Sequence, residues 1–354
     1  MMMRDEILKR NLPAAIPAGL AAEQFPAWRE EMVKTFAKEC FGISPAAPKE
    51  VRVSNVEVTD PAWVNKATYT SLTLSFDMEK GECSFPVNFA LPKKEEKVPA
   101  IVYISFGFDR FARQQPMEEI VDMGWAYAAY DYRDVTSDDE DMSNGMAALT
   151  TREAGTAWGK IGMWAYAASR VLDYLLTRPE IDPERIIVVG LSRLGKTALW
   201  AGAQDERFAA AVSVNSGCSG ASVLRGKQGE NVDDICRVFP FWFCENYQKY
   251  LKNEDKLPFD AYHLLACCAP RPVYVTSSVE DAWADPYGEF VSCVMLKDVY
   301  KLLGFEALPE EDYEMIKPDG RIVGEKVGYH LRPGTHGISR YDWVRALRFM
   351  ETRV

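Results

Sequence analysis

The sequence predicts an α/β protein with a doubly wound, mostly parallel sheet and helices on both faces. The run Pro99-Ala100-Ile101-Val102-Tyr103-Ile104-Ser105-Phe106-Gly107 is nearly all apolar. A strand without alternation is buried on both faces, as parallel-sheet strands are. From that run onward, strand and helix patterns alternate along the chain, which implies parallel pairing through short right-handed crossovers. The size agrees: 354 residues, 47% of them hydrophobic and 26% charged, supply one large domain with a sizeable core.

The elements follow in order. Phe25, Trp28, Met32, Phe36 and Cys40 recur at helical spacing, and the Pro45–Pro48 stretch closes that segment. Residues 1–48 thus read as an N-terminal helical extension and 49–354 as the main domain. Val51–Val58, Thr68–Phe76 and Cys83–Leu91 are alternating or β-branched runs, with a turn at Glu79-Lys80-Gly81-Glu82. Further strands are expected at Trp125–Tyr132, Ile186–Gly190, Phe208–Val214, Pro272–Ser277 and Gly328–Leu331. Helices are expected at Trp158–Leu176, Leu194–Ala203, Tyr287–Leu303 and Tyr341–Thr352. Residues 215–265, rich in Cys, Trp and Phe, interrupt the alternation and read as a cap-like insertion.

Charge narrows the function. Against 41 Lys and Arg stand 52 Asp and Glu, a net charge of −11, which argues against nucleic acid or an anionic membrane as partner. No apolar run approaches the ~18 residues of a membrane span. The N-terminus lacks a signal-peptide pattern, so a cytoplasmic location is expected for the chain as given, and a secreted one if a leader has been removed. The eight cysteines form no CxxC pair and read as buried free thiols. Cys218 and Cys236, both in the insertion, are the pair a disulfide would join first. Three histidines are too few for a zinc site, and no dinucleotide fingerprint is present, so no metal and no cofactor is implied.

The most informative stretch is Ile186-Ile187-Val188-Val189-Gly190-Leu191-Ser192-Arg193-Leu194-Gly195-Lys196-Thr197. A buried strand running through Gly-x-Ser straight into a helix is the context of a nucleophile elbow. The helix N-terminus there offers N–H donors and a positive dipole end to an oxyanion. Ser192 is also suited to a simple N-cap. The same stretch matches Gly-x-x-x-x-Gly-Lys-Thr, the phosphate-binding loop. Such a loop follows the first strand of a nucleotide-binding unit, whereas several strands precede this one, and the next strand ends in Val214-Asn215-Ser216-Gly217 without a metal-binding Asp.

α/β-Hydrolases place their triad in the order Ser, acid, His. His336, in the glycine-flanked loop Arg332-Pro333-Gly334-Thr335-His336-Gly337, is the expected base. His330 lies within a strand and His263 precedes an apolar run, so both are expected to be structural. The strand Pro272–Ser277 leads into Glu280-Asp281-Ala282-Trp283-Ala284-Asp285. Asp281 is the expected acid there, with Glu280 and Asp285 as fallbacks, because a carboxylate at that point can hold the imidazole tautomer.

Gly190-Leu191-Ser192-Arg193-Leu194-Gly195-Lys196 resembles the elbow of carbohydrate esterase family 15, the glucuronoyl esterases. The resemblance continues in Trp164-Ala165-Tyr166, Ser216-Gly217-Cys218-Ser219-Gly220, Gly229-Glu230, Trp242-Phe243 and Ala269-Pro270-Arg271-Pro272, ending at Trp283-Ala284-Asp285-Pro286. It implies an α/β-hydrolase that cleaves esters of (4-O-methyl)glucuronic acid, with a small-molecule or oligosaccharide uronate ester as its partner. It further implies that Arg193 stabilises the oxyanion and that Lys196, Glu230 and Trp283 line the uronate site. Many family members carry the triad acid as Glu at the position of Asn215, so here Asp281 is the natural replacement. The competing readings are an esterase of acetylated sugars or small esters, and a catalytically idle carbohydrate-binding relative.

Overall fold

Ten strands form one sheet in the computed structural model, which describes residues 9–107, 115–309 and 317–354. They are β1 Arg52–Ala62, β2 Ala67–Met78, β3 Gly81–Pro92, β4 Val98–Ser105, β5 Ala126–Asp131, β6 Ile181–Leu191, β7 Ala210–Val214, β8 Val273–Ser278, β9 Arg321–Val323 and β10 Val327–Arg332. Their spatial order is β1-β2-β3-β5-β4-β6-β7-β8-β10-β9. From β5 to β10 every pairing is parallel. β1 to β3 form an antiparallel meander joined to β5, and β9 caps the far edge antiparallel to β10. The α/β-hydrolase architecture expected from the sequence is present. Its meander follows from the short connections there, since only antiparallel strands close over a two-residue turn such as Glu79-Lys80.

The principal helices are α1 Phe25–Phe36, α2 Lys160–Leu176, α3 Arg193–Gln204, α4 Val232–Val238, α5 Ala261–Ala266, α6 Pro286–Met295, α7 Lys297–Leu302 and α8 Arg340–Met350. Apolar side chains fill both faces of the sheet. One face carries α2 and α3 with Trp164, Leu172, Leu199 and Trp200. The other carries α8, whose Trp343 meets Tyr103 edge to face at 5.1 Å.

Three details differ from the sequence expectations. The Tyr287–Leu303 helix is two helices, α6 and α7. They part at Leu296, whose ψ of −8° and bond to the Cys293 carbonyl tighten the backbone into a 3₁₀-like turn. β9 was not expected, being only three residues long. Cys218 and Cys236 are not joined; all eight cysteines are buried free thiols. The helical extension shares the main core: the Phe36 ring stacks on Phe259 at 4.1 Å, and Phe41 stacks on Trp200 at 4.7 Å. No described helix is long and apolar enough to cross a membrane.

Candidate active site

Ser192 sits between the last residue of β6 and the first of α3, at φ 60° and ψ −128°. A non-glycine residue held there is strained, and such strain concentrates at functional turns. The neighbouring glycines make the turn possible. A Cβ on Gly190 would lie 1.9 Å from the Leu194 carbonyl oxygen, and one on Gly195 would crowd Ser216 at 3.0 Å. The Ser192 N–H donates to the Val214 carbonyl at 2.8 Å, tying the turn to the end of β7. At the start of α3 the Gly195 and Lys196 N–H groups donate to the Ser192 carbonyl at 2.8 and 3.1 Å, and the N–H groups before them precede any intrahelical acceptor.

The neighbouring strand ends carry the acid and the imidazole. Asp281, just beyond β8, accepts from His336 Nδ1 at 2.6 Å. The same Asp281 oxygen accepts from Asn215 Nδ2 at 3.0 Å, and that amide also donates to Ser278 Oγ at 2.7 Å. Asn215 follows Val214 directly, so the strand end that holds the Ser192 turn also holds Asp281. Burial works against the charged form of Asp281, but the bonds from His336, Ala284 and Asn215 outweigh it and keep the carboxyl below its usual range. The His336 side chain is 45% exposed, open to a reactant from solvent.

The other histidines and acids have separate work. His330 is wholly buried between Tyr274 and Asp342, each at 2.8 Å. His263 Nδ1 accepts from the Asp260 N–H at 2.8 Å, and burial lowers its pKa to about 4. Asp285 caps α6 through the Gly288 N–H and pairs with Arg10 at 3.2 Å. Glu280 is exposed, and its N–H donates to the Gly334 carbonyl at 3.1 Å in the loop that carries His336.

The residues that the family resemblance assigns to substrate converge on one side of the elbow. Lys196, one turn after Ser192, is buried; its Nζ donates to the Ser216 carbonyl at 2.5 Å and stands 4.0 Å from Glu230 Oε2. Burial lowers the pKa of Lys196 and the Glu230 charge opposes it. Glu230 is brought to Trp283 by backbone: its N–H donates to the Trp283 carbonyl at 2.9 Å. Gly229, at φ 71°, makes that approach possible, because a Cβ there would lie 2.5 Å from two carbonyl oxygens of the same loop. Trp283 itself is 57% exposed.

Two acids escaped the sequence reading. Asp138 pairs with the Arg193 guanidinium and accepts from Trp242 Nε1. Its acidic surroundings, Asp138-Asp139-Glu140-Asp141, look like a solvated loop. Glu289 on α6 is wholly buried and accepts from Ser277 Oγ and from the Gly217 N–H at 2.9 Å. Its signal was a single acid inside the apolar run Tyr287–Met295.

A parallel sheet whose central strand turns through a strained serine into a helix, with acid and imidazole on the following strand ends, defines an α/β-hydrolase. The family model described as glucuronyl esterase, fungi, matches residues 75–304. The chain belongs to the glucuronoyl esterases, carbohydrate esterase family 15. It is 40% identical over 240 residues to a carbohydrate esterase from an unknown prokaryotic organism, a match covering 66% of this chain and 55% of that protein. With a 4-O-methyl-glucuronoyl methylesterase of Podospora anserina it shares 28% over 252 residues, covering 67% and 51%. The chain thus spans about half the length of these curated relatives. A glucuronoyl esterase structure from Solibacter usitatus superposes with a TM-score of 0.88 at 30% identity, covering 97% of this chain and 98% of that one. A promiscuous esterase of the family from a marine bacterial metagenome gives 0.86 at 30%, covering 97% of each.

Proposed function

We propose that the chain is a serine esterase that hydrolyses esters of glucuronic acid, including those of its 4-O-methyl form. The observation that carries the reading is the 2.6 Å Asp281–His336 hydrogen bond, tied through Asn215 to the strand end that holds the strained Ser192 turn. Ser192 Oγ attacks the uronate carbonyl carbon while His336 Nε2 takes its proton and passes it to the departing alkoxide. Asp281, bonded to Nδ1, keeps the imidazole in the required tautomer and stabilises the imidazolium. Water then enters by the same base and releases the uronate from Ser192. The oxyanion faces the α3 N-terminus and Arg193, where fixed donors and positive charge favour it.

Family membership supports a uronate rather than a simple acyl group, and so does the chemistry beside the serine. Lys196 and Glu230 offer a donor and an acceptor to sugar hydroxyls, and Trp283 offers an exposed aromatic face to the ring. The test is hydrolysis of benzyl glucuronate beside 4-nitrophenyl acetate by the wild type and Ser192→Ala. The expected result is efficient turnover of the uronate ester, lost by a factor on the order of 10⁴ or more in the variant. Serine-dependent turnover of acetate alone would move the substrate to the class of acetylated sugars and small esters.

A further inference from the structure

We infer that Asp138 is a positioning residue that fixes the Arg193 guanidinium beside the nucleophile. Oxyanion stabilisation at Ser192 then depends on a carboxylate that does not touch the substrate. The inference rests on the proposed esterase reading and adds to it a residue outside the triad and the uronate site.

Asp138 is held in place by three donors from three parts of the fold. One oxygen accepts from Trp242 Nε1 in the insertion at 2.8 Å. The other accepts from Arg193 Nη1 on α3 and from Tyr132 OH, just after β5, at 2.8 Å. Its side chain is only 13% exposed. Arg193 lies against an aromatic pair, with the Trp242 ring at 4.5 Å and the Phe239 ring at 5.2 Å. Those two rings are stacked parallel at 3.9 Å. Contact with the rings does not by itself direct the guanidinium fork, and among the described residues Arg193 Nε is buried without a hydrogen-bond partner. Asp138 supplies the direction, because a guanidinium is a fixed fork that a carboxylate orients.

The loop that carries Asp138 is itself anchored. Lys160 Nζ, completely buried, donates to the Ser137 carbonyl at 2.7 Å, the Asp141 carbonyl at 2.8 Å and Asp139 Oδ1 at 3.3 Å. The residues on either side of Asp138 therefore turn toward Lys160, while Asp138 alone turns toward Arg193. As a charge, Asp138 opposes the oxyanion; its contribution is geometric. The sign of the Asp138→Asn effect separates the two: removing only an opposing charge raises kcat, and loosening Arg193 lowers it.

The experiment measures kcat and KM on benzyl glucuronate for wild type, Asp138→Asn, Asp138→Ala, Arg193→Ala and the double variants, with Tm for each. The expected result is a fall of about 10- to 100-fold in kcat for Asp138→Ala, a smaller fall for Asp138→Asn and little change in KM. In the Arg193→Ala background either Asp138 substitution changes kcat by less than about twofold, because the group it positions is gone. A purely structural role lowers Tm and leaves the Asp138 and Arg193 losses multiplying. Multiplying losses, an unchanged kcat in Asp138→Ala or a raised kcat in Asp138→Asn overturns the inference while leaving the esterase reading intact. If Asp138→Ala does not fold, the near-isosteric Asp138→Asn carries the cycle. A wild type without Ser192-dependent turnover overturns the esterase reading, and the role of Asp138 with it.

Discussion

At the scale of single residues, the site turns on Asn215 being a neutral neighbour of Asp281 rather than a second acid. Two carboxylates sharing the position would repel, raising the pKa of one of them. With Asn215 donating to Asp281 instead, hydrogen bonding outweighs burial and keeps the acid below its usual range. Asp281→Asn therefore removes the charge that meets His336 Nδ1 and favours the wrong tautomer. A fall in kcat of roughly 10³- to 10⁴-fold is expected with KM little altered, checked by steady-state kinetics on benzyl glucuronate. Retention of most activity would assign the acid elsewhere. The sequence carried Ser192, Asp281 and His336 as candidates because each follows a strand, and strand ends in an open α/β sheet face one crevice. It did not carry Asp138, since nothing local marks which member of an acidic run turns inward. That choice is made by Lys160 and Arg193, both distant in sequence.

At the scale of elements, α6 is where a titratable group has been built into the support of the site. Asp285 caps the helix at φ 58° and Pro286 opens it. One turn on, Glu289 reaches the Ser216–Gly217 turn after β7 and Ser277 of β8. Burial raises its pKa to about 7, against the lowering by Ser277 and Gly217. The folded chain thus holds a proton that the unfolded chain, with an ordinary carboxyl, has already lost. Stability from this group is present at low pH and is lost as pH rises from about 4.5 to 7. Asp281 acts in the opposite sense and in a lower window: its lowered pKa gives stability that is lost as pH falls below the ordinary Asp range. Glu289→Gln should gain stability relative to the wild type between pH 5 and pH 8, on the order of 2–3 kcal/mol. Urea midpoints at the two pH values check this; parallel shifts for both proteins would mean that Glu289 ionises as it does in the unfolded chain. The strands and α3 were legible from apolar runs and glycine spacing. The break at Leu296 was not, because no proline or glycine marks it and only the packing beneath decides it.

At the scale of the whole molecule, α3 is the rod that separates catalysis from stability. Its first turn carries Arg193 and Lys196, and its far end meets the N-terminal helix. There Arg29 of α1 donates to the Ala203 and Cys267 carbonyls, each at 2.6 Å, and pairs with Glu206. Sequence periodicity identified α1 but set it apart as an extension. Its partners, Trp200 and Phe259, lie more than 150 residues further along the chain, beyond the reach of any local pattern. At 1.5 Å per residue, Ala203 is about 16 Å along the helix from Ser192. Arg29→Met keeps the apolar stem but takes the donor from the Ala203 carbonyl and leaves the Cys267 carbonyl with only the 3.4 Å bond from Arg271, so a loss of about 1–3 kcal/mol of stability is expected. Since α3 is packed along its length against β6 and β7, that loss should stay at the far end. The variant should unfold at lower denaturant while kcat/KM on the uronate ester stays within about twofold of wild type. A variant that keeps its unfolding midpoint but loses turnover would show that the contacts of α1 reach the elbow through α3 rather than merely holding the core together.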